Sequence, residues 1–359
     1  MKKKIISLLC LILFVFSLSL SFVGCENTEE NNYPTYSAEI SDYYFNTGSI
    51  LSSYGKATEK EFGEYLSLCK EKLYYYHKLF DIYYEYAGVN NIKTINKNAG
   101  KAPVEVDAEL IDFLEYCKEL FTITNGKTNV MLGSVLKIWH DFRELGRELA
   151  KKGLSLQASD LPSEESLALA SLHTSIDSLV IDREGGTVYI SDPLASLDVG
   201  AVAKGYAVEL LYNELFALGA DSVVINVGRN IRTMGLKPNG DMWVSGVYNP
   251  DLTSENPIKC RISIGEGSIV SSGDYENFVS VDGVDYHHII DPDTLQPAKY
   301  FSSVTVLAGH SGLADALSTA LFCMSYEEGL SLVSGLDGVE VVWIYKDGRL
   351  AYTDGANVS

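Results

Sequence analysis

Ser302–Met324 reads SSVTVLAGHSGLADALSTALFCM. Its first part alternates, putting Val304, Val306 and Ala308 on one face of a strand. Ser311 and Gly312 break the alternation. From Leu313 the period lengthens to that of a helix, with Leu313, Ala316, Leu317, Ala320 and Leu321 at near-helical spacing. Asp315 and Thr319 stand inside this small-residue helix at i and i+4, one turn apart on one face. A carboxylate and a hydroxyl so placed can hold a hard cation through oxygen, and Ala316 and Ala320 leave room beside them. The same residues also suit a plain packing helix, with Asp315 helping to cap the first turn and Thr319 bonded back to a carbonyl.

Upstream, Ser196–Leu215 reads SLDVGAVAKGYAVELLYNEL, a short strand and a Gly-Ala turn followed by a helix. A helix N-terminus with Lys204 beside it can receive phosphate oxygens through free backbone N–H groups and one cation. Ordinary packing explains it as well, because neither GxxxxGK[ST] nor GxGxxG is present. Ser222–Gly235 is strand-like, with Gly228 marking a bulge or a close approach. Val281–Pro297 reads as a hairpin, a strand and a turn, with SSGDY (Ser271–Tyr275) as a turn before it.

Nearer the N-terminus, Tyr43–Tyr54 is consistent with a first strand and Thr58–Tyr86 with a long helix. Gly88–Pro103 reads as a loop and Asp107–Thr122 as a second helix. Asn129–Trp139 and the charged stretch Asp141–Lys152 read as two further elements. Leu179–Ile181 and Thr187–Ile190 form a hairpin, and a last hairpin turns at Asp347-Gly348.

Residues 1–24 have the form of a lipoprotein signal peptide: Lys2, Lys3 and Lys4 precede an apolar run ending in Phe22-Val23-Gly24-Cys25. Cleavage before Cys25 and lipidation of its thiol are the expectation, with a retained transmembrane anchor as the alternative. Either way the folded part lies outside the cytoplasmic membrane face. Residues 25–37 read as a flexible tether and 38–359 as the folded domain. The formal charge of −20 argues against a nucleic-acid partner. It also means that a phosphate ligand needs local donors or a metal to be held. Cys69, Cys117, Cys260 and Cys323 are scattered without a CxxC, so neither a disulfide framework nor a zinc site is expected.

Four blocks stand in order: LDVGAVAKGYAVELL, INVGRNIRTMG, SSGDYENF followed by HHIIDPDTLQP, and SVTVLAGHSGLADALSTALF. Together they resemble the ApbE-type FAD:protein FMN transferases, over most of the chain from about Tyr43 onward. The resemblance implies an α+β fold of mixed, largely antiparallel sheets flanked by helices, in two lobes with FAD between them. It implies transfer of FMN from FAD to a Thr or Ser hydroxyl of an acceptor flavoprotein, with Mg2+ required and AMP released. Asp315, Thr319 and the carbonyl of Ala201 match the family's metal ligands. Lys204, Asp274, His288 and Ile289 match its flavin-site positions. His288 is also a candidate general base by its chemistry, although a bond to flavin or stacking on it is an equal reading. His287 is read as a surface or packing residue. The implied partners are FAD, a flavin-carrying redox protein or membrane redox-pump subunit, and a membrane reached by a lipid anchor on the outer face of the bacterial cytoplasmic membrane. An FAD pyrophosphatase and a non-catalytic FAD-binding lipoprotein are the alternatives. One departure is Arg229, which stands where the family has a second glycine, so that it either clashes there or adds a cation near phosphate.

Overall fold

The computed structural model describes residues 33–359; the signal peptide, Cys25 and most of the tether lie outside them. Strands β1 (Thr35–Ser41) and β2 (Ser49–Tyr54) lead into helix α1 (Glu59–Phe80), helix α2 (Ile92–Lys97) and strand β3 (Val104–Glu105). Helices α3 (Ala108–Ile123), α4 (Gly133–Lys151) and α5 (Glu164–Ser171) follow. The hairpin of β4 (Leu179–Asp182) and β5 (Thr187–Ile190) precedes α6 (Ala203–Ala217). A run of strands comes next: β6 (Val223–Val227), β7 (Asn230–Met234), β8 (Trp243–Tyr248), β9 (Ile258–Ile264) and β10 (Gly267–Gly273). It continues through β11 (Phe278–Val281), β12 (Val284–His287) and β13 (Phe301–Ala308). Helices α7 (Ser311–Phe322) and α8 (Tyr326–Val333) and strands β14 (Glu340–Tyr345) and β15 (Leu350–Tyr352) complete the chain.

The central sheet has eight strands in the order β1-β2-β6-β7-β10-β13-β14-β15. Every neighbouring pair in it is antiparallel. The alternation read in β13 is real: Val304, Val306 and Ala308 pack with α7, while Leu307 faces the opposite way. That opposite face is covered by Val247 of β8 and Cys260 and Ile262 of β9, a separate two-stranded ribbon. Strands buried on both faces need apolar residues at both parities, which Val341, Val342, Trp343 and Ile344 of β14 supply. A third cluster joins Trp139 and Phe142 of α4 to Leu167 of α5 and Val281 of β11.

Several boundaries differ from the sequence expectation. β1 already begins at Thr35, so residues expected in the tether belong to the sheet, and the compact unit spans Pro34–Ser359. The two expected lobes are not separate units within it. The strand expected at Tyr43–Tyr54 is β2 alone, preceded by a turn at Tyr44–Asn46, where Phe45 and Asn46 take positive φ. α1 stops at Phe80, because Asp81 turns extended and accepts the Tyr83 and Tyr84 N–H groups. The loop expected at Gly88–Pro103 contains α2, capped by the Asn91 side chain. The two elements expected around Trp139 and Asp141 are the single helix α4, with Asp141 on its exposed side. Ser271–Gly273, expected in a turn, extends β10 and pairs with β13. All four cysteines of the described residues are buried and free.

Helices α6 and α7 cross at a point where only glycine fits. A Cβ on Gly205 would lie 2.4 Å from the Ser311 carbonyl oxygen and 2.5 Å from the Asp315 Cβ. Gly205→Ala therefore forces the helices apart and should cost about 1–3 kcal/mol, read as a lowered urea midpoint. Unchanged stability in that variant would show the crossing to be loose.

Candidate active site

Asp315 is only 4% exposed and sits on the second turn of α7. It does not cap its own helix. The cap is His310, whose Nδ1 accepts the N–H groups of Gly312 at 3.1 Å and Leu313 at 3.3 Å. Ser311 and Gly312, expected as a break, thus form the first turn of α7. The Ser311 N–H donates to Glu209 Oε2 at 2.7 Å, and Glu209 is in turn paired with Arg232 at 3.2 Å. Carboxylate charge at a helix N-terminus is favourable.

Asp315 instead caps the neighbouring helix. Val202, at the N-cap position of α6, makes no side-chain cap bond, and the Gly205 N–H donates to Asp315 Oδ2 at 2.8 Å. That N–H is one of the first-turn donors of α6 that have no acceptor within their own helix. Among the described residues the Ala201 carbonyl accepts no hydrogen bond, and the Thr319 hydroxyl has no partner. Lys204 Nζ lies 3.8 Å from Asp315 Oδ2 and donates to the Gly200 carbonyl at 3.1 Å. Burial pushes the Asp315 carboxyl above its usual range, opposed by Lys204 and by the Gly205 N–H.

A carboxylate and an unpartnered hydroxyl on α7 and an uncommitted carbonyl in the turn before α6 thus make up the donor set. This donor set fits a hard, oxygen-binding cation such as magnesium. Among the described residues no cluster of three or more His, Cys, Asp or Glu forms a metal site, so such a cation would rest on this mixed oxygen set.

His288 follows β12 and is largely buried, with an Nδ1 that has no hydrogen-bond partner among the described residues. Burial, then Arg143, His287 and Lys204, push its imidazole down to about 3, while the Asn277 backbone pulls the other way. In the free protein it is a neutral polar group and too weak a base for efficient proton abstraction near neutral pH. His287 is a packing residue. Its Nε2 donates to the Ala298 carbonyl at 2.8 Å, its Nδ1 accepts the Ile289 N–H at 3.2 Å, and its ring lies edge-on to Phe322.

The other expected flavin-site residues, Asp274 and Ile289, have partners within the protein. Asp274 pairs with Lys346 of the last hairpin. Ile289 is buried in the core, its N–H given to His287 and its carbonyl to the Ala298 N–H, so packing uses every group it has. Arg229 neither clashes nor remains a free cation. Its guanidinium lies 4.7 Å from the Tyr248 ring and 4.9 Å from the Tyr275 ring, and it pairs with Glu276. Gly228 beside it takes a φ of 67° against Thr47.

Two groups near Lys204 and His288 escaped the sequence reading. Asp198 in LDVG accepts the Gly200 N–H at 3.0 Å. Burial raises its carboxyl, against the pull of the Gly200 N–H, His140, Arg143 and Lys204. Arg143 is 6% exposed in the midst of a charged stretch. Its signal was the four-residue step from Trp139, which puts it on the buried stripe of α4.

The chain belongs to the ApbE family, which residues 56–343 match. It is 32% identical over 281 residues to an FAD:protein FMN transferase of Treponema pallidum, covering 74% of this chain and 73% of that protein. It is 26% identical over 343 residues to an FAD:protein FMN transferase of Vibrio cholerae, covering 94% and 95%. The crystal structure of an ApbE protein from Thermotoga maritima superposes with a TM-score of 0.74 at 25% identity, covering 89% of this chain and 97% of that one.

The His288 imidazole carries a stability signature. An ordinary histidine titrates near 6.5, whereas the folded protein holds His288 at about 3. Between these values the unfolded chain binds a proton that the folded one refuses. The stability attached to neutral His288 is therefore complete above the unfolded value and drains as pH falls toward the folded one. His288→Gln should flatten the loss of unfolding free energy between about pH 6 and about pH 4 by about 1.4 kcal/mol per pH unit. An unchanged slope in urea titrations would mean that His288 is hydrated in the folded state.

Proposed function

We propose that this chain is a magnesium-dependent FAD:protein FMN transferase, moving FMN from FAD to a Thr or Ser hydroxyl of an acceptor flavoprotein and releasing AMP. The observation that carries the reading is the oxygen set at the crossing of α6 and α7: buried Asp315, the unpartnered Thr319 hydroxyl and the uncommitted Ala201 carbonyl, with Lys204 alongside. The activity named for the Treponema and Vibrio relatives supports it.

In this reaction the acceptor hydroxyl oxygen bonds to the FMN phosphorus. The bond from that phosphorus to the bridging oxygen breaks, its electron pair leaves with AMP, and the hydroxyl proton passes to solvent or a base. Magnesium held by Asp315, Thr319 and Ala201 would supply positive charge against the pyrophosphate oxygens. Lys204 would hold phosphate oxygens from the other side, its ammonium already steered by the Gly200 carbonyl. Neutral His288 would offer a polar contact to the ligand. Access of the hydroxyl and exclusion of water fall to the docked acceptor, which separates transfer from hydrolysis.

Among the described residues no helix is long and apolar enough to cross a membrane. Cys25 and the apolar leader support an exported protein, lipid-anchored at the outer face of the bacterial cytoplasmic membrane, where a membrane redox subunit could serve as acceptor.

The test is the intact mass of an FMN-binding acceptor domain after incubation with the full chain in detergent, FAD and magnesium. A gain of one FMN, abolished when the acceptor Thr becomes Ala, is the expected result. Asp315→Ala should slow the gain by about 100-fold or more, the effect of losing several kcal/mol of charge stabilisation. Steady AMP release with no mass gain would replace transfer by FAD hydrolysis, and an active Asp315→Ala protein would remove the metal assignment.

A further inference from the structure

Arg143 is a buried cation with no carboxylate in ion-pair contact among the described residues, Asp198 and Glu144 acting on it only from beyond that distance. Its Nε and Nη1 have no hydrogen-bond partner among the described residues. Burying a guanidinium in this state opposes folding, because lost hydration is not replaced. The other buried arginine of the described core, Arg232, is matched by Glu209 and lies 3.7 Å from the Tyr212 ring centre. Arg143 therefore stands out as a donor fork held ready without a protein acceptor.

Its position is fixed on two sides. One turn earlier on α4, the Trp139 ring stacks on Tyr286 of β12 at 5.9 Å, and His288 lies two residues beyond Tyr286. His140, also on α4, meets the Tyr83 ring at 5.4 Å. The guanidinium lies near enough to push the His288 imidazole down and to favour the charged form of Asp198, and Lys204 acts on both groups in the same way. Arg143 from α4 and Lys204 from α6 thus border one region of the protein, which also holds the unpartnered His288 Nδ1.

Resting on the FAD reading above, we propose that Arg143 is a phosphate anchor for the dinucleotide, binding non-bridging pyrophosphate oxygens through its free Nε and Nη1 while Lys204 holds them from α6. A planar fork suits phosphate oxygens two at a time. An acidic protein, with a formal charge of −20, needs such local donors to keep that ligand. Arg143 is then a binding and positioning residue, and its cost to the free protein is recovered when the ligand arrives.

The test is calorimetric titration of the full chain in detergent with FAD, ADP, riboflavin and adenosine, comparing wild type with Arg143→Met and Arg143→Lys. The Met variant should lose about tenfold or more in affinity for FAD and ADP, while riboflavin and adenosine stay within about twofold. Its ligand-free melting temperature should hold or rise, because an unpaired buried charge has gone. The Lys variant keeps the charge without the fork and should fall between wild type and Met, which preserves the test if Met fails to fold. Wild-type affinity for ADP in the Met variant, or equal loss for all four ligands, overturns the proposal. A wild type that binds ADP through Arg143 but leaves the acceptor unmodified would remove the transferase reading and keep the anchor. A wild type that transfers FMN while Arg143→Met binds as wild type does would do the reverse.

Discussion

The bond from the Gly205 N–H to the Asp315 carboxylate joins two helices 110 residues apart in sequence, and the candidate site depends on it. It supplies α6 with an N-terminal cap that its own sequence lacks. Just before that helix, the Ala201 carbonyl accepts no hydrogen bond among the described residues. The bond also keeps Asp315 facing Lys204. A side chain at 205 would meet both Ser311 and Asp315, so glycine is required for close approach and not for an unusual φ.

Around this contact several supporting polar groups are matched, although the buried Ser311 hydroxyl is not. Glu209 binds Arg232 and the start of α7. Ser272 and Ser318 bond at 2.8 Å, tying β10 to α7, and Thr128 donates to the Ala316 carbonyl at 2.7 Å. A buried polar network that is satisfied throughout holds its members in one arrangement. The exceptions collect differently. Ala201, Thr319, His288 Nδ1 and Arg143 keep unused hydrogen-bonding capacity around Lys204 and Asp315. Unpaired buried atoms also occur elsewhere, at Trp343 Nε1, Ser53 Oγ, Ser311 Oγ and the Oδ1 atoms of Asn226 and Asn230.

The charge distribution supports the same division. The chain is acidic, yet near α4 and α6 it carries buried Arg143 and half-buried Lys204 beside buried Asp315, with a histidine forced neutral. Local cations in a low-dielectric setting act strongly at short range, whereas the net negative surface acts weakly through screening salt. An anionic ligand is held by the former despite the latter.

Much of this was legible in the sequence. Period-two alternation located β13, helical spacing located α7, and the i, i+4 step put Asp315 and Thr319 on one face, because these are local properties of the backbone repeat. The four ordered blocks led to the ApbE family. Tertiary structure decided what each group does. Asp315 caps α6 and not α7, since the nearest free N–H is delivered by a helix far away in sequence. His310 caps α7, although histidine is outside the usual capping set. Ile289 and His287 are consumed by packing, Asp274 turns to Lys346, and Arg229 is neutralised between two tyrosines and Glu276. Arg143 lay hidden in a charged run, because composition signals solvent whereas its four-residue step from Trp139 signals the interior. Sequence determines which groups share a strand or helix face; only the folding of distant segments against one another decides which of them find partners and which are left for a ligand.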